Sequence, residues 1–146
     1  MTKILLPTNG SEDGHKAGEY AISKADLGAD IIILYVIDTD YLDALSQEDL
    51  KEKLRIKLRK EGEEVINNYR TRIEDSQCQG YCKNVNLITA IKEGNIAEVI
   101  IKTINEENID QVIIGESNKS SLETYLLENI TKKVAKNAKV PVKVIS

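Results

Sequence analysis

The sequence predicts an α/β protein built on a five-stranded parallel, doubly wound sheet with helices on both faces. Two observations carry this. Five short apolar runs alternate with segments of helical periodicity, and that alternation is the signature of strand–helix–strand units joined by right-handed crossovers. One of the runs, IIILYVI at Ile31–Ile37, is apolar throughout, as a strand covered on both faces requires.

Lys3-Ile4-Leu5-Leu6-Pro7 is too short for a helix, and Asn9-Gly10-Ser11 breaks it before a helical pattern that carries Ala17, Tyr20, Ala21 and Ala25 on one side. Ile31–Ile37 is the second, central strand. From Gln47 to Glu74, Leu50, Leu54, Leu58, Val65, Tyr69 and Ile73 recur among charged residues, which describes a long amphipathic crossover helix with that stripe on the sheet. Val85–Ile91 reads as the third strand, closed by Lys92-Glu93-Gly94. Asn95 is a good N-cap for a helix bearing Ile96, Val99, Ile100 and Ile104. Asp110 opens the fourth strand, Gln111–Ile114. A last helix, about Asn129–Asn137, leads through Pro141 into the terminal strand Val142–Ile145.

At 146 residues and 41% hydrophobic content the chain has the size of one compact domain, 1–146. No apolar stretch approaches the ~18–20 residues that cross a bilayer, and Met1-Thr2-Lys3 leads straight into a strand instead of a signal sequence. A cytoplasmic protein with no membrane partner is expected. The 20 Lys+Arg against 24 Asp+Glu leave a net charge of −4, with no basic block dense enough for nucleic acid as the main partner. Phe and Trp are absent and the aromatics are 6 Tyr, so stacking platforms for single strands are scarce.

No catalytic motif emerges from the residues. Gly-x4-Gly-Lys-Ser/Thr and Gly-x-Gly-x2-Gly are absent, and Ser11, Ser120 and Ser121 lack a recognisable base. His15, the only histidine, falls among Glu12, Asp13 and Lys16 and reads as a surface residue. Cys78 and Cys82 sit in SQCQGYCKN, a stretch of loop character. A zinc site would need two further ligands, so they read as ordinary thiols, with a redox pair or shared metal as the other possibility.

Four segments together carry a family resemblance. ILLPTNGSE opens the chain, AIKEGNIAEVIIKTINEENIDQVIIG lies in its middle, IIGESNKSSLETYLLENI spans Ile113–Ile130 and ITKKVAKNAKVPVKVIS closes it. Nearly the whole chain thereby resembles the universal stress protein family, which implies a Rossmann-like sheet of the adenine nucleotide alpha-hydrolase-like type. Ligands in such sheets bind beyond the carboxyl ends of the strands where the strand order reverses, so site residues should follow strands one, two and four.

Carried over residue by residue, the resemblance points to Pro7, Thr8, Asn9, Val36, Gly115, Asn118, Glu128 and Asn129. Pro7 and Thr8 match the family's opening, but Asn9 stands where an Asp holds the adenine and ribose end of ATP. Asn keeps an acceptor and loses the charge that strengthens a bond to a ribose hydroxyl; it also serves as an ordinary turn residue or cap. Val36 matches the position whose backbone meets the base, and core packing explains an apolar residue there equally well.

The phosphate loop departs further. Gly115 keeps the first glycine's place, while Asn118, Glu128 and Asn129 replace the second glycine, the third glycine and the serine. Left-handed backbone at Asn118 would cost ~1–2 kcal/mol for most residues, and Asn tolerates it best. Glu128 is the greater obstacle, since a carboxylate beside polyphosphate repels it by ~1 kcal/mol at 4 Å in water and ~4 at an effective dielectric of 20. A magnesium ion would offset part of this. Asn129 can cap the last helix, and Lys119 reads as a solvated loop lysine or a contact to a γ-phosphate.

The expected function is a dimeric cytoplasmic stress-response or signalling module with weakened or lost adenine-nucleotide binding, paired through its C-terminal strand and serving an unidentified protein partner. The alternative is a genuine ATP-binding member with slow hydrolysis. A flavodoxin-like or receiver-like domain shares the sheet, but Asn9-Gly10 replaces the acidic cluster a phosphoacceptor needs.

Overall fold

The computed structural model describes residues 2–8, 16–21, 28–78, 85–115 and 130–145. In chain order the elements are β1 (Lys3–Pro7), α1 (residues 16–21), β2 (Asp30–Asp38), α2 (Thr39–Asp43), α3 (Glu48–Cys78), β3 (Asn86–Gly94), α4 (Ile96–Glu106), β4 (Gln111–Gly115), α5 (residues 130–137) and β5 (Val142–Ile145). The five strands form one sheet in the order β3-β2-β1-β4-β5, and every pair is parallel. Lys3 faces Asp30 and Pro7 faces Leu34; Leu5 pairs with Val112, and Gly115 with Ile145.

Strand alternation sorts the apolar side chains into two cores. Ile4, Leu6, Ile31, Ile33 and Ile113 meet Ala17 and Ala21 of α1 and Ile66 and Tyr69 of α3 on one face. Leu5, Ile32, Leu34 and Val112 meet Ala97, Ile100 and Ile104 of α4 and Val134 of α5 on the other. Burial of both sets is what makes β1 and β2 apolar at successive positions.

The helices seat closely through glycine. A Cβ at Gly18 of α1 would stand 3.1 Å from the Tyr69 hydroxyl and Cε1, and a Cβ at Gly62 of α3 would stand 2.6 Å from Cδ1 of Tyr35. Tyr69 is the largest fully buried side chain among the described residues, and burial raises its phenol above the ordinary range.

Several boundaries depart from the sequence reading. α3 runs 31 residues to Cys78, so Cys78 lies on the helix, while Cys82 and His15 lie outside the described residues. At ~1.5 Å per residue α3 is ~46 Å long, whereas the 9 residues of β2 span ~30 Å. The helix therefore outreaches the sheet, and Leu50, expected on it, is 50% exposed. Of the predicted stripe Tyr69 is buried and Leu54, Leu58 and Val65 are half-buried; the helix is otherwise covered at Gly62 and Ile66, which the stripe did not include. Lys51 is half-buried and paired with Asp43 and Glu48.

Lys92, Glu93 and Gly94 do not close β3 from outside; they are its last residues, paired with Val36, Ile37 and Asp38. The short α2 has no counterpart in the sequence reading, because five residues are too few to show a period. Among the described residues no helix is long and apolar enough to cross a membrane.

Candidate functional site

The strand order reverses beside β1. After β1 the chain moves to β2 and β3 on one side, and from β3 it returns through α4 to β4 on the other side of β1. α1, which follows β1, packs in the same core as α3; α5, which follows β4, packs in the opposite core with α4. Connections that leave adjacent strands for opposite faces open a crevice beyond their carboxyl ends.

Four of the eight candidate residues are described there. Pro7 ends β1 and is buried; Thr8 follows it, half-buried, and its N–H donates to the Leu34 carbonyl at 2.9 Å. This bond ties the start of the connection to β2, which is an interior strand but not the central one its apolar run suggested, since β1 holds the middle of the sheet. Gly115 ends the neighbouring strand β4 and is half-buried. Thr8 and Gly115 thus leave adjacent strands ~4.8 Å apart, with no side chain on the β4 side. Val36 lies one strand further out, two residues beyond Leu34, and packs with the core under α4. Asn9, Asn118, Glu128 and Asn129 lie outside the described residues.

A buried proline, a glycine and a valine offer backbone groups and apolar surface, and Thr8 offers one hydroxyl. Among the described residues no three His, Cys, Asp or Glu come together in a metal-binding group.

A polar strap next to Val36 was not foreseen as part of the site. Asp38 ends β2 and caps α2, accepting the Asp40 N–H at 3.0 Å. Asp40 in turn accepts a hydrogen bond from Asn95 Nδ2 at 2.7 Å, and Asn95 Oδ1 accepts the Glu98 N–H at 3.1 Å as the N-cap of α4. The bonds join the carboxyl ends of β2 and β3. Gly94 turns into this strap with φ +152°, and a Cβ there would meet Val99 Cγ2 at 2.6 Å, so position 94 needs glycine on both counts. The capping role of Asn95 was legible; its second bond depends on α2, which was not.

The rim of β3 is also charged. Arg55 Nε stands 3.1 Å from Glu93 Oε1 without the alignment of a hydrogen bond, and Arg59 Nη2 lies 3.8 Å from Glu93 Oε2. On the opposite face Lys92 Nζ donates to Thr103 Oγ1 at 3.0 Å, and that hydroxyl donates to the Val99 carbonyl at 2.7 Å. Lys92 is therefore committed to holding β3 on α4.

Known proteins match this architecture along its whole length. The universal stress protein family model matches residues 1–146. A universal stress protein of Methanocaldococcus jannaschii, MJ0531, is 29% identical over 144 residues, 98% of this chain and 81% of the relative. The structure of hypothetical protein MJ0577 superposes with a TM-score of 0.80 at 28% identity, over 99% of this chain and 94% of that one. An Arabidopsis thaliana universal stress protein family protein with AMP bound has the same fold, with a TM-score of 0.65 at 17% identity over 99% and 91% of the two chains.

Proposed function

The chain belongs to the universal stress protein family, and from that premise we propose that it is a dimeric cytoplasmic stress-response or signalling module whose hold on adenine polyphosphates is weakened or lost. The observation that carries this is one contrast in the sequence. Gly115 is kept at the end of β4, while Glu128 stands where the family's loop has a glycine against the phosphates. By the family pattern Pro7, Thr8 and Val36 serve the base and ribose end of the ligand, and Glu128 brings a like charge to its polyphosphate end.

Titration calorimetry with Mg-ATP tests the reading. The native chain should bind with a dissociation constant near or above ~100 µM, and Asn118→Gly with Glu128→Gly and Asn129→Ser should tighten it at least about tenfold, or ~1.4 kcal/mol. AMP serves as the comparison, because it lacks the outer phosphates and should respond less to Glu128→Gly. Micromolar or tighter ATP binding by the native chain would favour the alternative, a genuine ATP-binding member.

The homodimer would form on β5. Among the described residues that strand lies at a sheet edge and pairs only with β4. Val112 donates to the Pro141 carbonyl at 3.0 Å while facing Val142, so in a parallel ladder the amides of Val142 and Val144 point to the open edge. Val144→Pro removes one outward donor and leaves the β4 ladder intact. Light scattering should give a dimer for the native chain and a shift toward the 16.3 kDa monomer for this variant; a native monomer at micromolar concentration would reject the edge pairing.

A further inference from the structure

The N-terminal part of α3 carries a surface the nucleotide reading does not use. Between Leu50 and Lys60 it holds six basic residues and one acidic residue, Glu52, in a chain of net charge −4. Three of the six are engaged: Lys51 with Asp43 and Glu48, Arg55 with Glu52 and Glu93, and Arg59 with Glu93. The other three, Lys53, Lys57 and Lys60, are exposed and form no ion pair among the described residues. Asp49, Glu61 and Glu64 stand one turn from them on the same helix without closing on them.

Spacing places these lysines in one stripe, because residues three and four apart share a helix face. The stripe flanks a second one, Leu50, Leu54 and Leu58, which recurs every four residues. Leu50 is 50% exposed, while Leu54 and Leu58 are half-buried against the body of the protein. An apolar seam edged by unpaired like charges is one half of a helix-to-helix contact of the kind in which flanking charges choose the partner.

We propose that this face of α3 docks an acidic amphipathic helix of a partner protein, whose apolar stripe covers Leu50 and Leu54 and whose flanking carboxylates meet Lys53, Lys57 and Lys60. The inference gives chemistry to the protein partner in the signalling reading, on which it rests. A rod-shaped partner fits because Leu54 and Leu58 are half-buried beside exposed Leu50, so a narrow ridge reaches all three, while exposed Ile56 stands apart from them across the lysine stripe. The contact is small and charge-led, so it is transient and weakens with salt.

The test uses the full chain and a labelled helical peptide with leucine along one stripe and glutamate on both flanks, read by fluorescence anisotropy at low and moderate salt. A twin peptide with lysine flanks and anionic phospholipid vesicles are the other arms. The native chain should bind the glutamate peptide saturably and leave the lysine peptide and the vesicles unbound. Lys53→Glu with Lys57→Glu and Lys60→Glu should weaken the glutamate peptide at least about tenfold and acquire the lysine peptide, which a folding defect would not produce. Leu50→Ser should weaken the glutamate peptide without reversing the preference. Equal binding of both peptides, indifference to the charge reversal, or binding of the vesicles in place of the peptide would overturn the proposal. Mg-ATP and AMP titrations on the triple variant separate this surface from the strand-end crevice, since they should match the native chain.

Discussion

Gly62→Ala places two well-measured effects in opposition, and the structure says which prevails. Gly62 lies in the interior of α3, where alanine is favoured over glycine by ~1 kcal/mol. The added Cβ, however, would sit 2.6 Å from Tyr35 Cδ1, 2.8 Å from Cε1 and 3.2 Å from Cγ, against an ordinary carbon–carbon separation of ~3.5–4.0 Å. All three atoms belong to the near edge of the ring, so a change at the side-chain tip does not relieve the clash. Either the ring or α3 must move by ~1 Å, and overpacking of this kind costs ~1–3 kcal/mol. The net expectation is destabilisation by up to ~2 kcal/mol, or ~2–4 °C per kcal/mol for a domain near this size. In a Tyr35→Val background the obstruction is gone, and the same Gly62→Ala change should stabilise by ~1 kcal/mol. Urea unfolding of the four proteins in this cycle reads the reversal directly. Stabilisation by Gly62→Ala in the native background, or the same sign in both backgrounds, would refute the argument that Gly62 sets the height of α3 over β2.

Ile66→Ala, at a position 4% exposed, should cost ~2–5 kcal/mol in denaturant unfolding, and Leu58→Ala less, because half-buried Leu58 surrenders less apolar contact. Asn95→Ala removes both the N-cap of α4 and the bond to Asp40 and should cost ~1–2 kcal/mol, whereas Asn95→Ser keeps a capping oxygen and should cost less. Burial raises Tyr69 above its ordinary 10.0, and Tyr35 likewise, with Glu61 adding to the effect. A raised folded pKa stabilises fully below the unfolded value, so unfolding free energy should fall as pH rises above ~10, and Tyr69→Phe should flatten that fall.

The sequence by itself determined the sheet. Ile31–Ile37 is apolar at every position because both of its faces are covered, and Ile4 to Leu6 and Val112 to Ile114 read the same way for the same reason; short-range pattern is enough when burial is two-sided. Asn95 as an N-cap and Val142–Ile145 as the last strand were legible too, since each depends on neighbours in the chain. Tertiary structure alone decided what happens where elements differ in length or meet across the fold. The stripe from Leu50 to Tyr69 is continuous in sequence, yet of its members Tyr69 alone is fully covered among the described side chains and Ile66, outside the stripe, is buried in place of Val65, because α3 outreaches β2 and periodicity carries no information about where the supporting sheet stops. Gly62 reads as an ordinary helix weakness until Tyr35 is seen beneath it. Of the candidate site, Pro7, Thr8 and Gly115 came from a resemblance in sequence, but that they stand at the ends of adjacent strands follows from β4 pairing with β1 after a crossover of the chain. The Asp38–Asp40–Asn95 strap joins residues up to 57 positions apart, a separation at which hydrogen bonding is fixed by the fold and no local pattern announces it.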